Sequence, residues 1–239
     1  MTVSAADLKV KIFADGAHVA DMSRLRADPL IRGFTTNPTL MRKAGVADYR
    51  AFAKQALAAV PDRPISFEVF SDDFDGMERQ AREIGSWGDN VYIKIPITNT
   101  AGKSAVPLMA RLAGAGLKVN ATALFTMAQV EAVAAALGDG PPAYVSVFAG
   151  RIADSGRDPE PVMREVLDRL GATPHIELIW ASPRQVFDIV RADAVGCHII
   201  TVTSDLLAKL PLLGKDLEAF SLETVRMFHD DAETAGYSL

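Results

Sequence analysis

Short aliphatic runs alternate along the chain with longer amphipathic stretches. The runs predict strands over Val10–Asp15, Gly33–Thr36, Ile65–Phe70, Val91–Ile97, Lys118–Thr122, Tyr144–Phe148, Ile176–Ala181 and Cys197–Thr203. Between them, apolar residues at helical spacing predict helices over Tyr49–Ala59, Asp75–Trp87, Ser104–Ala113, Thr126–Leu137, Pro161–Leu170 and Pro183–Ala192. Strand starts recur at the length of one βα unit, with no linker between units. This predicts an α/β fold, a single (β/α)8 TIM barrel over residues 1–239 with a C-terminal helical extension at about 210–239. In that extension Ser221 is placed to cap a helix from Leu222 to Ala232, with Phe220 and Val225 as a hydrophobic staple. Leu222, Val225 and Phe228 would pack on the barrel or on a neighbouring subunit, so a homo-oligomer stays open. An open doubly wound sheet is the competing architecture, but no Gly-x-Gly-x-x-Gly fingerprint follows the first strand.

Composition narrows the classes of partner. The 239 residues carry a net charge of −5 with both signs scattered, which argues against nucleic acid and against an anionic membrane surface. Residues 1–10 lack the basic start and apolar stretch of a signal peptide, and no uninterrupted apolar window reaches about 18 residues. Cys197 is the sole cysteine, so no intramolecular disulfide can form. The expected location is the cytoplasm.

In a barrel of this type the active site lies at the C-terminal ends of the strands. Polar residues collect there: Asp15, Thr35-Thr36-Asn37, Glu68, Lys94, Asn120 and Thr122, Arg151, Ser182 and Thr203. Lys94 is the sharpest signal. In Val91-Tyr92-Ile93-Lys94-Ile95-Pro96-Ile97 the odd positions form an aliphatic face, and Lys94 sits on the other. A lysine buried in mid-strand is costly without a partner or a task. Burial favours its neutral amine, a nucleophile toward carbonyls; a lysine there can also snorkel outward or simply pair with Glu68. Asp15 and Glu68 offer two carboxylates from different strands for acid–base work, though each could be an ordinary charge-paired residue. Pro38 keeps Asn37 out of the α region and can begin a short helix, which would hold the Asn37 amide at the mouth to bind hydroxyls. Arg151, after the flexible turn Phe148-Ala149-Gly150, could bind a phosphate. The four histidines lack metal-ligand spacing and the P-loop pattern is absent, so neither a metal nor a cofactor is expected.

Together these segments resemble the transaldolase family of Schiff-base aldolase barrels, in its short subfamily, which includes fructose-6-phosphate-aldolase-like members. The resemblance rests on Phe13-Ala14-Asp15, Gly33-Phe34-Thr35-Thr36-Asn37-Pro38-Thr39, Phe67-Glu68-Val69, Tyr92-Ile93-Lys94-Ile95-Pro96, Asn120-Ala121-Thr122-Ala123-Leu124-Phe125, Phe148-Ala149-Gly150-Arg151-Ile152 and Ala181-Ser182. It implies catalytic roles for Lys94, Asp15, Glu68 and Thr122, and substrate binding by Asn37, Thr36, Asn120, Phe148, Arg151 and Ser182. Sugar phosphates are the implied partners: Lys94 forms an imine with a ketose, Glu68 and Thr122 shuttle protons, and Asp15 drives C–C cleavage. A dihydroxyacetone unit then passes to an aldehyde. A class I aldolase acting on fructose 6-phosphate is the alternative; such members tend to carry Gln at the position of Glu68 and Tyr at that of Phe148. A non-catalytic sugar-binding barrel is the third reading. Thr39 replaces the family's usual Ser, and Ala181-Ser182 runs into Pro183-Arg184 where the family usually has Phe and then a basic residue. Trp180 is expected to narrow the acceptor side.

Overall fold

A computed structural model of the chain describes residues 4–238; residues 1–3 and 239, the outermost ends of the predicted domain, lie outside the described residues. Eight parallel strands close into a barrel in sequence order. They are β1 (Lys11–Asp15), β2 (Ile31–Thr35), β3 (Ile65–Glu68), β4 (Val91–Pro96), β5 (Val119–Leu124), β6 (Ala143–Val147), β7 (Ile176–Trp180) and β8 (Ile199–Thr203). β1 pairs with β8, so no edge is left exposed. Every predicted strand is present, with ends shifted by one or two residues.

The helices alternate with the strands. They are α1 (Val19–Arg26), α2 (Pro38–Lys43), α3 (Tyr49–Ala59), α4 (Phe74–Gly85), α5 (Val106–Gly114), α6 (Met127–Leu137), α7 (Ala149–Asp154), α8 (Glu160–Leu170), α9 (Phe187–Val195), α10 (Ser204–Leu207) and α11 (Leu217–Ala235). Their starts follow from local chemistry. Asp48 and Asp73 cap α3 and α4 by accepting from the amides three residues on, and Thr126 and Gln129 form a capping box on α6.

Alternation along each strand divides the core. Outward residues such as Phe34, Phe67, Ile93, Ile95 and Trp180 are buried against the helices. Inward residues stack in layers. The lower layer is an aromatic floor in which Tyr92 and Tyr144 stack at 4.0 Å and Phe13 meets Tyr144 edge-on at 5.7 Å, with Ile179 and Ile199 beside them. Gly33 makes room for this floor, because a Cβ there would stand 2.6 Å from the Phe13 ring.

Four expectations need correction. The last helix begins at Leu217, not Leu222: the Asp216 carboxylate accepts from the Ala219 amide at 2.9 Å, so Ser221 lies inside the helix and caps nothing. The predicted staple fails with it; instead Lys215 lies over the Phe220 ring at 4.4 Å. α9 starts at Phe187, not Pro183, because the buried Asp188 carboxylate holds the Arg184 and Gln185 amides at 2.7 and 3.2 Å in a loop. Trp180 faces the outer helices, under the Arg191 guanidinium at 5.7 Å, and so does not narrow the mouth. The Phe148–Gly150 segment is not a flexible turn, for the reason given below.

Candidate active site

The C-terminal mouth of the barrel opens into a cavity of about 640 Å³. Strand register brings the central residues together: Glu68 pairs with Lys94 across β3 and β4, and Lys94 with Asn120 across β4 and β5. Lys94 is only 8% exposed, yet it lines the cavity. It lies 3.1 Å from a Glu68 carboxylate oxygen and donates to the Thr36 carbonyl at 3.3 Å. The pairing with Glu68 raised from the sequence is therefore present, inside the cavity rather than away from it.

Asp15, at the end of β1, accepts from the Thr35 hydroxyl at 2.8 Å and from the Asn37 side-chain amide at 3.3 Å. Thr35 also shares a hydrogen bond with the Thr201 hydroxyl from β8. Desolvation raises the Asp15 pKa above the ordinary carboxylate range; Lys94 and the Thr35 hydrogen bond oppose the rise, and the Glu68 charge adds to it. Asn37 is held at both ends, since its carbonyl caps α2 by accepting from the Leu40 amide at 2.9 Å. Thr122 lines the cavity with a buried hydroxyl that has no hydrogen-bond partner among the described residues. Such an atom on a cavity wall is available to a ligand.

Two candidate binding residues lie off the cavity lining. Thr36 and Asn120 are fully buried, Asn120 on the inward face below Thr122 and Thr36 on the outward parity of Phe34. The Thr36 hydroxyl donates to the Ser66 carbonyl at 2.9 Å. The Asn120 amide donates to the Ser66 hydroxyl at 3.0 Å and accepts from the Ser146 hydroxyl at 2.7 Å. Sequence reading missed Ser66, Ser146 and Thr201. All three share the inward parity of Glu68, Tyr144 and Thr203, which was the available signal.

Phe148, Arg151 and Ser182 line the opposite wall. The Arg151 guanidinium lies over the Phe148 ring at 5.3 Å and sits on α7, a helix where the sequence suggested a mobile turn. Gly150 is needed for close approach rather than flexibility. Its amide donates to the Ala181 carbonyl at 3.3 Å, and a Cβ there would stand 1.5 Å from the Ser182 carbonyl oxygen. Ser182 itself adopts φ 61°, a left-handed conformation that costs a non-glycine residue about 1–3 kcal/mol. Arg184 reaches the same wall but its guanidinium is paired with the Asp154 carboxylate. Among the described residues no cluster of His, Cys, Asp and Glu is arranged to hold a metal.

A closed barrel whose mouth carries a buried lysine and two carboxylates defines a (β/α)8-barrel enzyme class. Solved structures agree on the fold alone. A putative dihydrodipicolinate synthase family protein from Coccidioides immitis superposes with TM-score 0.56 at 13% identity, covering all of this chain and 81% of that one. A truncated 3-deoxy-D-arabino-heptulosonate 7-phosphate synthase from Thermotoga maritima gives 0.52 at 12%, covering 96% and 88%. The sequence is more specific. A model of the family described as transaldolase/fructose-6-phosphate aldolase matches residues 12–239. A probable transaldolase 2 of Listeria monocytogenes is 35% identical over 219 residues, 88% of this chain and 94% of that protein. A probable transaldolase of Methanococcus maripaludis is 35% identical over 215 residues, 88% and 95%. The chain belongs to the transaldolase/fructose-6-phosphate aldolase family, as an enzyme of the transaldolase type.

Proposed function

We propose that the site moves a dihydroxyacetone unit from a ketose phosphate to an aldehyde through an imine on Lys94. The observation that carries this reading is the Lys94 amine, buried at the base of the cavity 3.1 Å from Glu68. Glu68 takes a proton from the lysine, and the neutral amine adds to the ketose C2 carbonyl. The same carboxyl returns the proton to the departing hydroxyl through a water that Thr122 can hold, so dehydration leaves the imine. Asp15 then removes the C4 hydroxyl proton, the C3–C4 bond breaks, and its electron pair moves into the protonated imine to give an enamine. Asn37 faces the sugar hydroxyls, while Thr36, through its backbone carbonyl, and Asn120 act from outside the cavity lining by setting Lys94 and the hydroxyl network. Arg151 and Ser182 suit the phosphate. Phe148 supplies no phenol to protonate the enamine, which favours transfer over release. Acid–base groups so placed contribute about 10²–10⁴-fold each.

Borohydride reduction in the presence of fructose 6-phosphate, followed by peptide mass mapping, tests the reading. A hexose- or dihydroxyacetone-sized adduct on Lys94 supports it; an unmodified Lys94 with this ketose and with sedoheptulose 7-phosphate sinks it. Rate with and without an acceptor aldehyde separates transferase from aldolase. The apolar side chains that α11 leaves exposed, among them Leu217, Val225 and Phe228, favour a homo-oligomer in which a neighbouring copy covers them. Cytoplasmic residence is consistent with the buried free thiol of Cys197 and with the absence, among the described residues, of any helix long and apolar enough to cross a membrane.

A further inference from the structure

Apart from the two floor tyrosines, the mechanism above leaves the well-packed phenol of Tyr49 unused. Tyr49, the first residue of α3, packs its ring against Phe67, Phe70 and Trp87, with centroids 6.4, 5.4 and 5.9 Å away. Its hydroxyl donates a 2.8 Å hydrogen bond to the backbone carbonyl of Glu68. That carbonyl is one the barrel's own ladder leaves unserved. Between β2 and β3 the Phe34 amide donates to the Pro64 carbonyl at 2.9 Å and the Thr36 amide to the Ser66 carbonyl at 3.1 Å. The two-residue period of a parallel ladder calls next for the amide of residue 38 on the Glu68 carbonyl. Residue 38 is proline and has no N–H. The β2–β3 seam is also short, with only Phe34 opposite Ile65 and Thr35 opposite Ser66. Burial and the nearby Glu68 charge push the Tyr49 pKa up, so the phenol stays a donor across the neutral range.

We propose that Tyr49 is a positioning residue for Glu68: its hydroxyl replaces the ladder donor that Pro38 lacks and fixes the end of β3. The Glu68 carboxylate is thereby held in reach of Lys94. The proposal rests on the acid–base role given to Glu68 above. Tyr49→Phe keeps the ring and removes only the donor. The test compares single-turnover imine formation with fructose 6-phosphate, trapped by borohydride, in wild type, Y49F, E68Q and the double variant. In Y49F, imine formation should slow by about 10-fold, with KM within about twofold, because the misplaced group is the acid–base residue and not a binding contact. In the E68Q background the same substitution should change the rate by less than about twofold, since the group it positions is gone. Wild-type imine formation in Y49F, or an equal loss in both backgrounds, overturns the proposal. A wild-type rate in E68Q alone would instead remove Glu68 from the chemistry, and the proposal with it, a result read from a separate arm.

Discussion

Gly150→Ala tests how rigidly the wall proposed to hold the phosphate is built. In an unconstrained helix this change would stabilise by about 0.5–1 kcal/mol, since alanine orders at less entropic cost than glycine. On α7 the new Cβ would instead stand 1.5 Å from the Ser182 carbonyl oxygen and 2.6 Å from its carbonyl carbon. Ordinary contact begins at 3.4 Å, so α7 and the end of β7 must part by the difference between 3.4 and 1.5 Å, roughly 2 Å. The Cβ is fixed by its own backbone and what it strikes is backbone, so no rotamer relieves the clash. Overpacking of this kind costs about 3 kcal/mol. Less the helix gain, the expected net loss is about 2 kcal/mol, or a Tm lower by about 4–8 °C for a chain of this length. Function should suffer more selectively. Arg151 follows the substituted residue and Ser182 is what it strikes, so kcat/KM for fructose 6-phosphate should fall by about 100-fold. Unphosphorylated fructose, which under the proposed binding mode makes no use of that wall, should lose far less. Thermal and urea unfolding with steady-state kinetics on the two sugars provide the check. A G150A protein at or above wild-type Tm, with unchanged KM for the phosphorylated sugar, would refute the reasoning.

Lys94→Ala should lower turnover by about 10⁴–10⁶-fold with no borohydride-trapped adduct. By stranding Glu68 it should also cost about 3 kcal/mol in urea unfolding while leaving a folded barrel; near-wild-type turnover would end the imine mechanism. Asp15→Asn should slow C–C cleavage more than imine formation, measured by aldehyde release against trapped adduct, and equal slowing would remove Asp15 from its step. Because Asp15 is raised above its unfolded pKa, protonation favours the fold: this group's stability contribution is present below the unfolded pKa and is lost as pH rises through the folded one. D15N should therefore be more stable than wild type at neutral pH, with the gap closing as pH falls, and the acid limb of wild-type kcat should lie above the ordinary carboxylate range. Asp154→Asn should barely change Tm, since the Arg184 pair it breaks is about half exposed on both sides. By freeing Arg184 it should lower KM for the phosphorylated ketose, and an unchanged KM would place Arg184 outside phosphate binding.

The barrel was legible because eight aliphatic runs and the helices between them repeat at one spacing, and Lys94 because it breaks an otherwise apolar strand. Other features depend on contacts no local pattern encodes. Gly150 reads as a hinge in sequence, and only the Ser182 backbone passing beside it shows that the residue is small to allow contact. Asp216 and Ser221 are equally good helix caps by residue type; the structure chooses Asp216, which turns the Ser221 reading into an interior residue. α1 is harder to read because it is short: only Met22 is fully buried, with Val19 and Leu25 half-buried beside it, so its apolar stripe spans barely two turns. The placement of Asn120 and Thr36 was hidden for other reasons: Asn120 has inward parity, which says which side a residue faces and not which layer it occupies, and Thr36 shares the outward parity of Phe34.

The stacked tyrosines and Phe13 close the barrel from below, so the cavity is a cup with a single door. Under the proposed reaction the first aldehyde must leave by the way it came before an acceptor can enter, because the enamine on Lys94 stands between the door and the floor. The two aldehydes then compete for one space at different times. Steady-state kinetics should be of the substituted-enzyme type, with parallel double-reciprocal lines, and excess acceptor should inhibit by occupying the cup before the donor arrives.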